Sequence, residues 1–209
     1  MRRSYDNIAV IYDWLAKAVY GQILIKARAG LVAATPAGSR ILIAGGGTGW
    51  ELEELSRIHP KGLTITYIDA SAKMMAIAAK RNIAGNEVNW ITCNIETVAA
   101  TGNYDVILTP FLLDNFTDER LRLLFPDLHH QLQPGGLWLY CDFQNTNVFW
   151  QKAMLIFMYT FFRAICAINA THLPDTEYLF TKYGYKIKSQ NCYAGKFITA
   201  VVYIKTGVL

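Results

Sequence analysis

The chain has 209 residues, 53% of them hydrophobic and 17% charged, which suits one well-filled domain and argues against a disordered chain. Its net charge of +4 is scattered rather than gathered into a groove, so no nucleic-acid partner is expected. Arg2-Arg3 runs into polar Ser4-Tyr5-Asp6-Asn7 rather than an apolar stretch, which speaks against a secretory or twin-arginine signal.

The beginning, Tyr5 to about Thr35, reads as helix: Ile8, Ile11, Tyr12, Leu15 and Val19 recur at helical spacing, and Ile23, Leu24 and Leu31 continue beyond Gly21. Residues 1–35 are thus a helical cover, closed by the break Pro36-Ala37-Gly38-Ser39. Residues 36–147 then alternate strand and helix. Ile41–Ala44 is a buried strand running into glycines, and Glu51–Ile58 is a helix. Leu63–Ile68 is a strand that ends at Asp69, after which Ser71 N-caps an alanine-rich helix through Ile83. Val88–Cys93 and Tyr104–Leu108 are strands, Asp118–Leu132 is a helix, and Pro134-Gly135-Gly136 turns the chain into a strand over Leu137–Cys141.

An apolar insert occupies 148–176. Its first part, VFWQKAMLIFMYTFFRAICAI, has only ten residues between Lys152 and Arg163, short of the ~18–20 needed to span a bilayer. Four roles stay open for it: a core helix, a lid, a homodimer face, or a helix lying on a membrane surface. Pro174–Tyr183 reads as helix, and Tyr185–Cys192 with Phe197–Lys205 as an antiparallel pair around Ala194-Gly195, so 177–209 closes the domain. The expected fold is α/β: one domain over 1–209 with a doubly wound, mostly parallel seven-stranded sheet and a C-terminal antiparallel hairpin. Cys93, Cys141, Cys166 and Cys192 lie far apart, with no C-x-x-C pair and no His at zinc-finger spacing. Free thiols, no metal site and a reducing, cytoplasmic setting follow.

Chemistry concentrates at two places. Gly45-Gly46-Gly47-Thr48-Gly49 links the first strand to its helix, where glycine permits a tight turn and lets a nucleotide-like ligand approach the backbone. The helix that follows offers free N–H groups. The dinucleotide pattern G-x-G-x-x-G fails, because Trp50 and Glu51 stand where glycines are needed. An NAD(P)-dependent reductase is therefore disfavoured. Asp69, twenty residues after Gly49, is placed to accept both hydroxyls of a ribose, or else serves as a turn aspartate ahead of Ser71.

The stretches ILIAGGGTG, YIDASAKMMAIAA, YDVILTPFLLDNF and LHHQLQPGGLWLYCDF resemble, in the same order, the motifs of class I S-adenosylmethionine-dependent methyltransferases, from about Arg40 to Phe143. The start, YDNIAVIYDWLAKAVYG, is similar to the N-terminal helix of the ubiquinone/menaquinone and phospholipid N-methyltransferase groups. The resemblance implies a Rossmann-like methyltransferase fold and S-adenosyl-L-methionine as cofactor, left as S-adenosyl-L-homocysteine. It implies that Gly45, Gly47 and Gly49 line the methionine part, that Asp69 holds the ribose, and that Ala70 and Met74 pack on the adenine. Asn94, with Ile95 beside it, stands where the family often has an aspartate for the adenine amino group, and an amide oxygen still accepts that bond. Thr109 and Pro110 would lie beneath the sulfonium. Two features depart from the pattern: Ile43 replaces the usual acid of strand one, and the glycine triplet is similar to that of aminopropyltransferases, whose acidic pair is absent from Leu108-Thr109-Pro110.

Candidates for a general base are Asp114, which alternatively caps the helix near Thr117; Asp142, alternatively a turn aspartate; and the loop residue His172. His129 and His130 are expected at the surface. Tyr5 and Tyr12, seven apart on one helix face, close over cofactor and acceptor or else pack in the core. The acceptor is expected to be a small, apolar or lipid-like molecule, because the insert is rich in aromatic residues and methionine. Peripheral membrane contact through 148–168, a monomer, a homodimer and a non-catalytic cofactor-binding protein all remain compatible with the sequence.

Overall fold

The computed structural model describes residues 5–7, 9, 21–98, 102–146, 148–166 and 170–207. Its strands are β1 (Arg40–Ala44), β2 (Lys61–Asp69), β3 (Gly85–Thr92), β4 (Tyr104–Pro110), β5 (Leu132–Phe143), β6 (Tyr185–Tyr193) and β7 (Ile198–Lys205). The helices are α1 (Ile23–Val32), α2 (Trp50–Ile58), α3 (Ala72–Ala78), α4 (Asp118–Gln131), α5 (Phe149–Cys166) and α6 (Thr176–Lys182). One seven-stranded sheet runs in the order β3-β2-β1-β4-β5-β7-β6. β1 to β5 pair in parallel, and β7 inserts antiparallel between β5 and β6. The mostly parallel sheet with its closing hairpin is the fold that the alternation of elements predicts.

The central strands are apolar on both sides because both faces are covered. Ile41, Ile43, Leu108 and Leu139 pack with Leu24, Leu31, Leu52 and Leu155 of α1, α2 and α5. Leu42, Ile107 and Trp138 pack on the other face with Leu121, Phe125 and Phe180 of α4 and α6. Phe125 stacks on Trp138 with ring centres 4.8 Å apart, and Phe180 on Tyr203 at 3.8 Å.

Among the described residues of the N-terminal stretch, Tyr5–Asn7 form a 3-10 turn and Ile23–Val32 form α1; residues 8 and 10–20, which carry Tyr12 and most of the predicted apolar stripe, lie outside the described residues. Three local features differ from expectation. α3 ends at Ala78, not Ile83, because Lys80 and Arg81 turn back onto the carbonyls of Ile77 and Ala78. Arg81 Nε then donates to Thr48 O at 2.8 Å, which ties the end of this helix to the glycine loop. β5 starts at Leu132: Tyr104 faces Leu132 and Val106 faces Leu137, so Pro134-Gly135-Gly136 is looped out as a bulge within the strand, with Gly135 at φ +77°. His129 is half-buried rather than at the surface, with Nδ1 3.1 Å from the Tyr185 hydroxyl. Burial, with the Lys205 and His130 charges, lowers its pKa to about 4. Lys205 Nζ donates to His129 O at 2.7 Å and Leu132 O at 2.6 Å, closing the carbonyl end of α4 with a positive charge.

Within the apolar insert, Phe149–Cys166 form the single helix α5, with Leu155, Met158, Tyr159 and Cys166 turned inward and Phe149, Ile156 and Phe157 exposed. No helix among the described residues is long and apolar enough to cross a membrane.

Candidate functional site

Strand order reverses direction between β1 and β4, and the crevice outside the carboxyl ends of strands at such a point is where open α/β sheets bind ligands. A cavity of about 260 Å³ lies there, walled by residues that follow β1, β2, β3 and β4.

Its floor is the glycine loop. Gly45, Gly47 and Gly49 all have left-handed φ, of +65°, +60° and +82°. A Cβ on Gly49 would stand 2.9 Å from the Ala78 backbone, so packing requires that glycine, while one on Gly45 would meet the end of the Leu112 side chain at 2.6 Å. Gly47 is different. Among the described residues, chain neighbours aside, no atom lies within 4 Å of where its Cβ would be, and the residue lines the cavity. Gly46 escaped the reading of the sequence, yet its Cβ would fall 2.3 Å from the Tyr67 ring, whose hydroxyl donates to Gly47 O at 3.0 Å.

Asp69 closes β2 and holds this loop in shape. Oδ2 accepts Gly47 N and Oδ1 accepts Ser71 N, both at 2.8 Å. Burial raises its pKa, while the two backbone amides pull the other way. Each carboxylate oxygen has a further lone pair. The turn-aspartate role therefore leaves acceptor capacity on a side chain that lines the cavity. Ser71 caps α3 by accepting Met74 N at 3.1 Å and donates its hydroxyl to Asp6, whose carboxylate also accepts Lys73 N at 3.0 Å. Next to Asp6, Tyr5 donates to Asn115 Oδ1 at 2.6 Å and meets the Phe162 ring of α5 at 5.9 Å. Tyr5 thus bridges the N-terminal turn, the segment after β4 and α5 along one wall.

The far wall holds Ala70, Met74, Asn94 and Ile95. Met74 and Ile95 are buried. Asn94 caps the short 3-10 turn Ile95–Thr97 through Glu96 N, and its Nδ2 donates to Glu96 Oε2 at 2.9 Å. Glu96 also binds Arg120 through both carboxylate oxygens.

Not every candidate reaches the cavity. Pro110 lines it, but Thr109 does not: it is fully buried on the opposite face of β4 and accepts the Trp138 indole N–H at 2.9 Å. Asp114 and Asp142 lie behind the wall, hydrogen bonded to each other. Asp142 Oδ2 accepts Asp114 N at 3.2 Å, and Asn115 Nδ2 donates to Asp114 Oδ1 at 2.8 Å. Burial raises both carboxyls, Asp114 to about 7, and at neutral pH the pair holds a proton. His172 is exposed, with Nε2 2.9 Å from Asp118 Oδ2, away from the cavity. Tyr12 lies outside the described residues.

Among the lining residues that went unread in the sequence, three form one cluster. Arg28 of α1 and Glu51 of α2 form an ion pair, Nε to Oε1 at 3.3 Å, with side-chain exposures of 14% and 1%. Phe111 takes φ +51°, rare for a bulky residue, and presents its ring 5.0 Å below the Arg28 guanidinium. The signal for the first two was a charge on each helix's buried stripe: Arg28 beside Leu24, Ala27 and Leu31, and Glu51 beside Leu52 and Leu55.

Residues 41–136 match the family model described as methyltransferase domain. Over that stretch, a little under half of its length, the chain is similar to the class I S-adenosylmethionine-dependent methyltransferases. Within that family, demethylmenaquinone methyltransferase of Tropheryma whipplei (strain Twist) is 26% identical over 147 residues, 70% of this chain and 57% of that one. Malonyl-[acyl-carrier protein] O-methyltransferase of Bacillus cereus (strain ATCC 14579) is 34% identical over 142 residues, 67% of this chain and 48% of that one. The chain thus spans about half the length of these curated relatives, 57% and 48%. In fold it is similar to a chain of the complex between the Haloferax volcanii Trm112 methyltransferase activator and the putative methyltransferase, with TM-score 0.71, 14% identity and 99% of both chains covered. It is also similar to magnesium protoporphyrin IX methyltransferase from Synechocystis PCC 6803 with bound SAH, with TM-score 0.65, 16% identity, and 88% and 83% coverage.

Proposed function

We propose that this protein moves the methyl group of S-adenosylmethionine to a small, apolar or lipid-like acceptor. The observation that carries the reading is Asp69 beside Gly47: a largely buried carboxylate with a lone pair left on each oxygen, next to a loop position where only a missing side chain keeps the cavity open. That pair fits a ribose, whose vicinal hydroxyls donate to the carboxylate while its ring lies against the loop. Met74 and Ile95 offer the apolar slot an adenine needs, and Pro110 the surface beneath the sulfonium.

S-adenosylmethionine supplies an already activated methyl group, so the protein's task is alignment and exclusion of water. Tyr5, fixed on Asn115, and Phe111 form the walls that perform this. Asp114 and Asp142, walled off from the cavity, are positioned to shape the segment after β4 rather than to take a proton from the acceptor. The acceptor's own lone pair serves as nucleophile. An apolar acceptor is supported by α5, whose inner end brings Phe162 and Cys166 to the site while Phe149, Trp150, Ile156 and Phe157 stay exposed, a face suited to a lipid surface or a second subunit. The free Cys93, Cys141, Cys166 and Cys192 agree with a cytoplasmic setting.

Calorimetric titration with S-adenosylhomocysteine tests the cofactor site. Asp69→Ala is expected to weaken binding at least ~10-fold, the scale of a lost hydrogen bond to a charged group. Undiminished affinity in that variant overturns the reading. An acceptor panel divided into quinone-like, lipid and hydrophilic compounds tests the rest, and turnover confined to hydrophilic acceptors refutes it.

A further inference from the structure

Five of the eight large apolar side chains that stand exposed among the described residues fall within 148–157: Val148, Phe149, Trp150, Ile156 and Phe157. Such residues scattered singly need no explanation, but a run of this density on one helix does. Nor is α5 loose. Gln151 Nε2 donates to the carbonyls of Ala194 and Gly195 at 3.1 and 3.2 Å, and the Tyr159 hydroxyl donates to Asp114 O at 3.3 Å. Leu155 and Met158 pack into the core, so the helix is held with Phe149, Ile156 and Phe157 turned outward, 87%, 67% and 61% exposed. Charge separates the surfaces that could cover this face. From Phe143 to Pro174 the sequence has no aspartate or glutamate, while α5 carries Lys152 and Arg163. These two lie about three turns, or ~16 Å, apart and on the same side of the helix, with Ile156 between them in the same row. Both are exposed, and among the described residues neither is paired with a carboxylate. Basic side chains that border an apolar helix face lay their stems on lipid and keep their charges among the headgroups. A second copy of the chain is a poor match. Two α5 helices packed across a two-fold axis would bring four positive charges and no negative one to the joint.

We propose that α5 docks the protein on an anionic lipid surface, with Phe149, Ile156 and Phe157 entering the acyl boundary and Lys152 and Arg163 at the headgroup phosphates. The inference deepens the apolar-acceptor reading above and rests on it for its purpose. The inner end of the same helix supplies Cys166 to the cavity and sets Phe162 against Tyr5. Docking therefore carries the site to within one helix length, ~27 Å, of the layer in which a lipid-like acceptor dissolves.

The test is co-sedimentation of the full chain with vesicles of equal parts phosphatidylglycerol and phosphatidylcholine, against vesicles of phosphatidylcholine alone. Wild type is expected to bind the anionic vesicles ~20-fold more strongly, on the scale of ~5-fold for each cation, and to lose that advantage in high salt. Phe149→Ser/Phe157→Ser is expected to lower binding to the anionic vesicles at least ~10-fold. Lys152→Gln/Arg163→Gln is expected to bring it down to the phosphatidylcholine level. All four side chains are exposed, so S-adenosylhomocysteine binding without lipid should be unchanged in both variants and reports a folded protein. Equal binding to the two vesicles, no binding, or variants that bind as wild type does overturn the docking surface. So does a stable dimer in sedimentation analysis that Phe149→Ser/Phe157→Ser dissociates. In each of these cases the apolar-acceptor reading stands if S-adenosylhomocysteine binds and apolar acceptors turn over in detergent. Vesicle binding without S-adenosylhomocysteine binding instead overturns the cofactor reading and keeps the docking surface.

Discussion

The substitution Asp114→Asn separates the buried carboxyl pair from every other titrating group. Burial raises Asp114 from its ordinary 3.8 to about 7, and Asp142 rises with it. Between these values the folded chain holds a proton that the unfolded chain has released. The contribution is therefore fully present below about 3.8 and is lost as pH climbs toward 7. One proton of difference corresponds to a slope of ~1.4 kcal/mol per pH unit, hence roughly 3 kcal/mol at most between pH 5 and pH 7. Asp114→Asn keeps an oxygen for Asn115 Nδ2 and turns an N–H toward Asp142, so it stands in for the protonated acid at every pH. Urea unfolding at pH 5, 6, 7 and 8 is the assay. Wild type should lose stability relative to the variant as pH rises, and the variant should be the more stable at pH 8. Parallel curves, or a wild type that gains on the variant with rising pH, refute the shared proton.

Three further expectations concern the loop and the C-terminal strand. Gly46→Ala should cost ~1–3 kcal/mol in unfolding free energy through its overlap with Tyr67. Gly47→Ala meets no atom of the described residues beyond its chain neighbours and should cost only ~1–2 kcal/mol for its left-handed backbone, yet lower S-adenosylhomocysteine affinity at least ~10-fold; equal affinity loss in the two variants would contradict the distinction. Lys205→Met strips the cap from two carbonyls and should lower stability by ~1–3 kcal/mol in thermal or urea unfolding, with no change in nucleoside affinity.

The fold was legible because its signals are local. Apolar runs ending in glycine or aspartate marked β1 and β2, and Ser71 capped its helix as its position implied. The glycine loop and Asp69 were legible for the same reason, since fixed spacing brings them together across neighbouring strands. Thr109 was placed at the cavity with Pro110 by the family resemblance, but both lie within β4 and strand alternation sends the two to opposite faces. Asp114 and Asp142 were recognised as a chemical possibility, whereas their position behind Asn115 depends on how two strand ends pack. Arg28 and Glu51 lie far apart in sequence and meet only through the packing of α1 on α2, so spacing alone could not pair them. The β5 bulge could not be told from an ordinary turn, because the same Pro-Gly-Gly serves either until its partner strand is known.

The placement of β7 between β5 and β6 governs when the sheet can be completed. While the nascent polypeptide is emerging, β5 has a bare hydrogen-bonding edge, and β6 has no neighbour to join until residues 198–205 arrive. That interval exposes to other strands a margin whose core, Leu137–Cys141, is apolar, the circumstance in which misassociation competes with folding. Delayed closure of this kind makes the yield of native protein sensitive to crowding at the ribosome and to the speed of synthesis over the last two strands.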